Sequence, residues 1–146
     1  EFAGVVRSYL RNSAGEIIES FEDEINVASL STLTICERDL NKTDVENNYY
    51  SYELEDSCGN VVSSGTVLFT APKHFRFKDP ELSYEISGDV ITVRAKAYAK
   101  SIEIYSPDSD FILSDNFFDM NAGEVRIKIL EGEAKTIKLR SVYDIR

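Results

Sequence analysis

Four side chains in one short stretch, Asp115, Asn116, Asp119 and Asn121, offer oxygens of the kind a calcium ion takes as ligands. Their spacing departs from the order of an EF-hand loop, and no bidentate glutamate follows at the required distance. Asp and Asn also make tight turns by bonding their own backbone. The expectation is therefore a structural corner made by Asp115, Asn116, Phe117, Phe118 and Asp119, with no metal and no cofactor. In an extended segment the adjacent Phe117 and Phe118 point to opposite faces, so one of the two packs inward.

The other reactive side chains are few. His74 is the sole histidine and sits between Pro72 and Pro80, where a solvated or turn-capping role outweighs catalysis. Cys58 falls in the turn Ser57-Cys58-Gly59-Asn60, a poor place for an inter-sheet disulfide with Cys36, so two free thiols are expected. A zinc site takes about four ligands, and Cys36, Cys58 and His74 lie far apart in sequence. Glycosidases work with two carboxyl groups held roughly 5 to 9.5 Å apart. The acids here fall on outward strand positions and in turns, and their spacing defines no such pair. No catalytic residue is assigned. Sugar-binding sandwiches present flat aromatic platforms; the chain has eight Tyr, eight Phe and no Trp. Tyr49, Tyr98 and Tyr105 fall opposite clean apolar faces and are expected at the surface, where packing on the sheet competes with a platform role.

The elements that would position these groups are strands. Tyr50, Tyr52 and Leu54 alternate with Ser51, Glu53 and Glu55; Ile91, Val93, Ala95 and Ala97 alternate with Thr92, Arg94 and Lys96. Val125, Ile127 and Ile129 alternate with charges in the same way, as do Ile137 and Leu139. A period of two with β-branched and aromatic residues marks half-buried strands. Turn signals at Asn12–Gly15, Asp56–Asn60, Ser87–Asp89 and Glu131–Glu133 separate the runs, and short strands at such spacing indicate an antiparallel sandwich. No window holds a capped helical stripe; Arg38–Glu46 is read as loop with at most one turn. The segment Ala71–Pro80 holds two of the three prolines, which favour a linker or an edge. This divides the chain into residues 1–74 and 75–146. The first piece is expected to lack strands that lie upstream, because the chain has no initiator methionine and opens on a strand.

Charge narrows the partners. The formal net charge is -10, and residues 1–72 carry 13 Asp/Glu against 4 Lys/Arg. Such a surface repels phosphate backbones, which argues against nucleic acid. No run approaches the ~18 apolar residues of a membrane span. A soluble protein is expected, with the compartment left open between cytoplasm and exterior.

Three motifs carry a family resemblance. Ser114-Asp115-Asn116-Phe117-Phe118-Asp119 followed by Ala122-Gly123-Glu124 resembles the Ser-Asp-Asn-Tyr/Phe-Phe-Asp-Leu-x-Pro-Gly-Glu signature of the last immunoglobulin-like domain of β-mannosidases, departing at Ala122 where the family has proline. Ala71-Pro72-Lys73-His74-Phe75, with Asp79-Pro80, resembles the stretch that joins the family's last two domains. Leu139-Arg140-Ser141-Val142-Tyr143-Asp144 resembles its closing segment. Residues 1–70 resemble the penultimate sandwich domain less closely. The resemblance implies an all-β, immunoglobulin-like antiparallel β-sandwich in two consecutive small domains, from the C-terminal end of a family-two glycoside hydrolase of the β-mannosidase type. It implies a non-catalytic accessory region, since both catalytic glutamates of the family belong to a central (β/α)₈ barrel. The partners it implies are that upstream barrel and other domains of the same chain. The parent would hydrolyse terminal β-mannosidic bonds. Alternatives are a carbohydrate-binding module, the same region of a related exo-glucosaminidase or β-galactosidase-like enzyme, and an independent adhesin-like surface module.

Overall fold

The computed structural model describes residues 1–145, which form antiparallel strands with short turns between them. The fold is all-β and immunoglobulin-like. Contacts divide the chain into two compact units, one holding Glu1–Asn12 and Glu16–Arg76, the other Ser13–Gly15 and the chain from Phe77 onward.

In the first unit β1 (Phe2–Asn12), β2 (Ile17–Val27), β3 (Asn48–Asp56) and β4 (Val61–Leu68) form one sheet in the order β2-β1-β3-β4. The register sets Val6 opposite Leu54, Ser8 opposite Tyr52 and Leu10 opposite Tyr50, so the alternating residues of β1 and β3 share one face. Val6, Ser8 and Leu10 are buried there, and Tyr50 donates to Ser8 Oγ at 2.6 Å. Burying side chains such as Val6 and Leu10 contributes ~1.5 to 3 kcal/mol each. Leu33, Ile35 and Cys36, from the segment between β2 and β3, line an apolar groove over this face. The opposite face is polar: Arg7 of β1 is held between Glu22 of β2 and Glu55 of β3. Gly4 sits where β1 and β3 approach closely, and a Cβ there would overlap the Glu55 carbonyl oxygen.

In the second unit β5 (Ser83–Ser87), β6 (Val90–Ala95), β8 (Phe111–Leu113) and β10 (Gly123–Gly132) form a sheet in the order β5-β6-β10-β8. A second sheet runs β11-β7-β9, from β7 (Ala99–Tyr105), β9 (Phe118–Met120) and β11 (Lys138–Arg140). The inward residues of both sheets meet in one cluster: Ile91, Val93 and Ala95 from β6, Ile127 from β10, Ala99, Ile102 and Ile104 from β7, and Met120 from β9. This is the packing of a β-sandwich, with apolar residues alternating inward from both layers. A last turn, α1 (Val142–Ile145), is capped by Ser141, whose backbone N–H donates to Asp144 Oδ2 at 2.7 Å.

Two expectations are corrected. Tyr49 and Tyr98 are fully buried, not at the surface. Tyr49 meets Phe75 edge to face at 6.4 Å, and Tyr98 stacks on Phe77 at 6.0 Å. Alternation assigned these tyrosines to the solvent side of their strands. The proline-bracketed segment supplies the phenylalanines that cover them, and Pro80 is itself buried. Tyr105 is half-buried, with the Arg140 guanidinium 5.1 Å from its ring centre. The alternation also hides β7, because its phase breaks at a bulge between Ala99 and Ile102.

Candidate functional site

The Asp115–Asp119 corner follows β8 and runs into the first two residues of β9. Its side chains bind backbone on the neighbouring strand β7. β9 pairs with β7 through Phe118 opposite Ile102, and no pairing continues to Ile104. Asn116 takes over that role: its Oδ1 accepts from Ile104 N at 2.8 Å, and its Nδ2 donates to Ile104 O at 3.0 Å. A carboxamide offers one acceptor and one donor in a plane, so Asn116 imitates a strand neighbour for a residue that is 2% exposed. Asn116 Oδ1 also accepts from Phe117 N at 3.0 Å, and Asp115 Oδ1 accepts from Asn116 N at 2.8 Å.

Asp119 does the same for the bulge. Ser101 has a left-handed backbone, φ 52°, which turns its N–H out of the ladder. Asp119 Oδ1 accepts that N–H at 2.8 Å, while Oδ2 accepts from Lys100 Nζ at 2.8 Å and lies 3.4 Å from the Tyr98 hydroxyl. Phe118 is half-buried against the core cluster, and Phe117 is 62% exposed with φ 60°. The corner thus brings its five residues together, but their oxygens face different donors and do not converge on one point. Among the described residues no group of three or more His, Cys, Asp or Glu is placed to hold a metal ion.

The other sequence candidates stay apart. His74 is exposed and ends a short 3₁₀ turn, its N–H donating to Ala71 O at 2.8 Å. Cys36 and Cys58 are free and exposed, and Cys36 Sγ lies 3.4 Å from the Tyr50 hydroxyl. Burial, then the contact with Cys36, pushes the Tyr50 phenol above its ordinary range. Burial likewise pushes the Tyr49 phenol up.

One arrangement was not visible in the sequence. Arg38, from the segment between β2 and β3, lies 5.4 Å from the Phe21 ring centre and 5.7 Å from that of Tyr50. It also pairs with Glu19 Oε2 at 3.0 Å. A cavity of about 550 Å³ opens beside it, lined by Phe21, Tyr50, Glu19 and Asp39 among others. Arg38 already covers the aromatic walls, so this segment is pinned to the sheet by cation–π and ionic contacts. Only the acid and aromatic residues of β2 and β3 hinted at a cationic partner, and several Lys and Arg residues would have fitted.

These features define a class: consecutive immunoglobulin-like β domains whose buried polar side chains serve their own backbone. Residues 1–74 match the family model of the mannosidase Ig/CBM-like domain, and residues 77–145 match that of an Ig-fold domain. The chain belongs to the mannosidase Ig/CBM-like domain family, with the Ig-fold domain following it. It is an accessory, immunoglobulin-like part of a mannosidase-family protein, as the Ala71–Phe75 and Ser114–Glu124 motifs implied. No curated protein matches the sequence. Among solved structures, the β-D-mannosidase from Dictyoglomus thermophilum shares the fold, with a TM-score of 0.64 and 15% identity over 96% of this chain. The chain spans 18% of the length of that protein. Among the described residues no helix is long and apolar enough to cross a membrane.

Proposed function

We propose that this chain is a structural accessory region of a glycoside hydrolase of the β-mannosidase type, whose intact form cleaves terminal β-mannosidic bonds. Residues 1–74 and 75–146 form its penultimate and last immunoglobulin-like domains, and their partners are the catalytic barrel and other domains of the same parent. The observation that carries this reading is the pair of mannosidase-type family matches in tandem along the chain. The corner fits a bracing role. Asn116 and Asp119 bind backbone and cation groups of their own domain, which supports reading Asp115–Asp119 as a structural clasp.

A second reading, a carbohydrate-binding module, draws on the cavity walled by Phe21 and Tyr50. Against it, Arg38 occupies the ring faces that a sugar would stack on. Calorimetric titration with mannobiose, mannan and chitosan separates the two. The bracing role predicts no heat of binding with any of them. Saturable heat that is lost in Phe21→Ala would replace it with sugar binding.

A further inference from the structure

Phe117 holds a left-handed backbone, φ 60°, and its ring is 62% exposed. A residue with a Cβ is disfavoured in that conformation, which glycine and asparagine adopt more readily. Strain of this kind persists only where the surrounding structure imposes it. Here the clasp imposes it. Asn116 is tied to the Ile104 backbone by two bonds, and its Oδ1 also accepts the Phe117 N–H at 3.0 Å. On the other side Phe118 packs on the core cluster and pairs with Ile102. Phe117 is thus presented rigidly between two fixed neighbours. Its own unit gains little from the ring, because Phe118 fills the inward position. Among the described residues Phe117 is the one aromatic side chain carried on a left-handed backbone.

We propose that Phe117 is the docking anchor of the last domain, and that its occupant is an apolar recess on another domain of the same parent chain. This rests on the reading of the chain as an accessory region of a longer hydrolase. Three observations select that occupant. The first is size: Phe117 is the one large apolar side chain exposed in the Asp115–Asp119 corner. A free protein partner needs roughly 1,000 Å² of matched surface, far more than one ring offers. A domain tethered in the same chain docks at high effective concentration, so a small rigid contact is enough. The second is charge. A net charge of -10 disfavours a second copy of this chain and any phosphate-bearing partner. The third is length: the related β-D-mannosidase is a chain of which this one spans 18%, so most of such a protein lies outside residues 1–146. A ring that is already ordered loses little freedom on burial, which suits an anchor at an interface.

Hydroxyl-radical footprinting read by mass spectrometry tests this on the 146-residue chain and on the complete protein encoded by its gene. Oxidation of Phe117 should slow severalfold in the complete protein. Phe118, half-buried against its own core, should react at the same rate in both and serves as the reference. A substitution gives a second reading, with a change of sign. In the 146-residue chain Phe117→Gly relieves the backbone and should raise the melting temperature. In the complete protein the same change removes the anchor and should lower the temperature at which this domain melts. Neither readout uses hydrolysis, so failure of the anchor and failure of the substrate assignment are seen separately. Phe117 oxidised equally fast in both proteins overturns the proposal, as does a Phe117→Gly change that stabilises both. Protection that appears only as the complete protein is concentrated would assign the ring to a second copy and overturn it as well.

Discussion

Replacing Asn116 by alanine should be the most damaging single polar change in the second unit. The side chain makes two bonds to the backbone of Ile104, a residue that is 2% exposed, at 2.8 and 3.0 Å. Alanine leaves a buried N–H and a buried C=O without these partners. Each stranded group costs ~1 to 3 kcal/mol, so the pair amounts to about 2 to 6 kcal/mol. A single domain of this size has a stability of roughly 5 kcal/mol. At ~4 to 8 °C per kcal/mol, its melting temperature should fall by about 10 °C or more. Asp115→Ala is the control. Asp115 is exposed and its one bond in the corner goes to the Asn116 N–H, so that loss should stay near ~0.5 kcal/mol. Asn116→Asp keeps an acceptor for Ile104 N but turns an ionised oxygen toward Ile104 O. Its deficit relative to the parent should therefore shrink at acidic pH, where the protonated acid can donate. Urea melts of the three variants at matched pH supply the numbers. Asn116→Ala within ~0.5 kcal/mol of the parent, or Asp115→Ala as costly as Asn116→Ala, would refute the clasp.

Other outcomes follow from the same geometry. Phe118→Ala should cost about 2 to 3 kcal/mol, because the ring packs on the core cluster, whereas Phe117→Ala should be nearly neutral. Phe117→Gly should gain up to ~1 kcal/mol, since glycine adopts φ 60° without strain; equal costs in thermal melts of the two alanine variants would contradict this. Gly4→Ala should destabilise by ~1 to 3 kcal/mol, because its Cβ would overlap the Glu55 carbonyl oxygen and force β1 from β3; a neutral effect would count against that packing. The Asp56 carboxylate accepts from backbone and side-chain N–H groups of Asn60, which hold it below the ordinary aspartate range. A depressed folded value gives stability that is present above the unfolded value and is lost as pH falls through the folded one. The melting-temperature gap between parent and Asp56→Ala should therefore be widest near neutral pH and close in acid; a gap independent of pH would exclude this source.

Much of the fold could be read from alternation where strands are regular. Ile91, Val93 and Ala95 alternate in sequence and stand inward on β6, and Val6, Leu10, Tyr50, Tyr52 and Leu54 share one face of the first sheet. β7 could not be read because Ser101 bulges and inverts the phase between Ala99 and Ile102, a tertiary device supported by Asp119 from a strand 18 residues on. Tyr49 and Tyr98 were misplaced for a related reason. Alternation tells which face a residue occupies but not what covers that face, and here Phe75 and Phe77 do so. In the corner, residue types signalled a turn stabilised by Asp and Asn. Its target, the Ile104 backbone, is set by the pairing of β9 with β7 and leaves no local trace in sequence.

The central claim is that this chain supports, and does not perform, the hydrolysis of β-mannosides. The most direct test compares the rate of p-nitrophenol release from p-nitrophenyl β-mannoside by the purified 146-residue chain with that of the complete protein encoded by its gene. The account predicts no release above a buffer blank from the chain alone, and turnover by the complete protein that exceeds its turnover of the β-glucosaminide and β-galactoside analogues. Release by the chain alone, or a complete protein that leaves the β-mannoside intact, would contradict it.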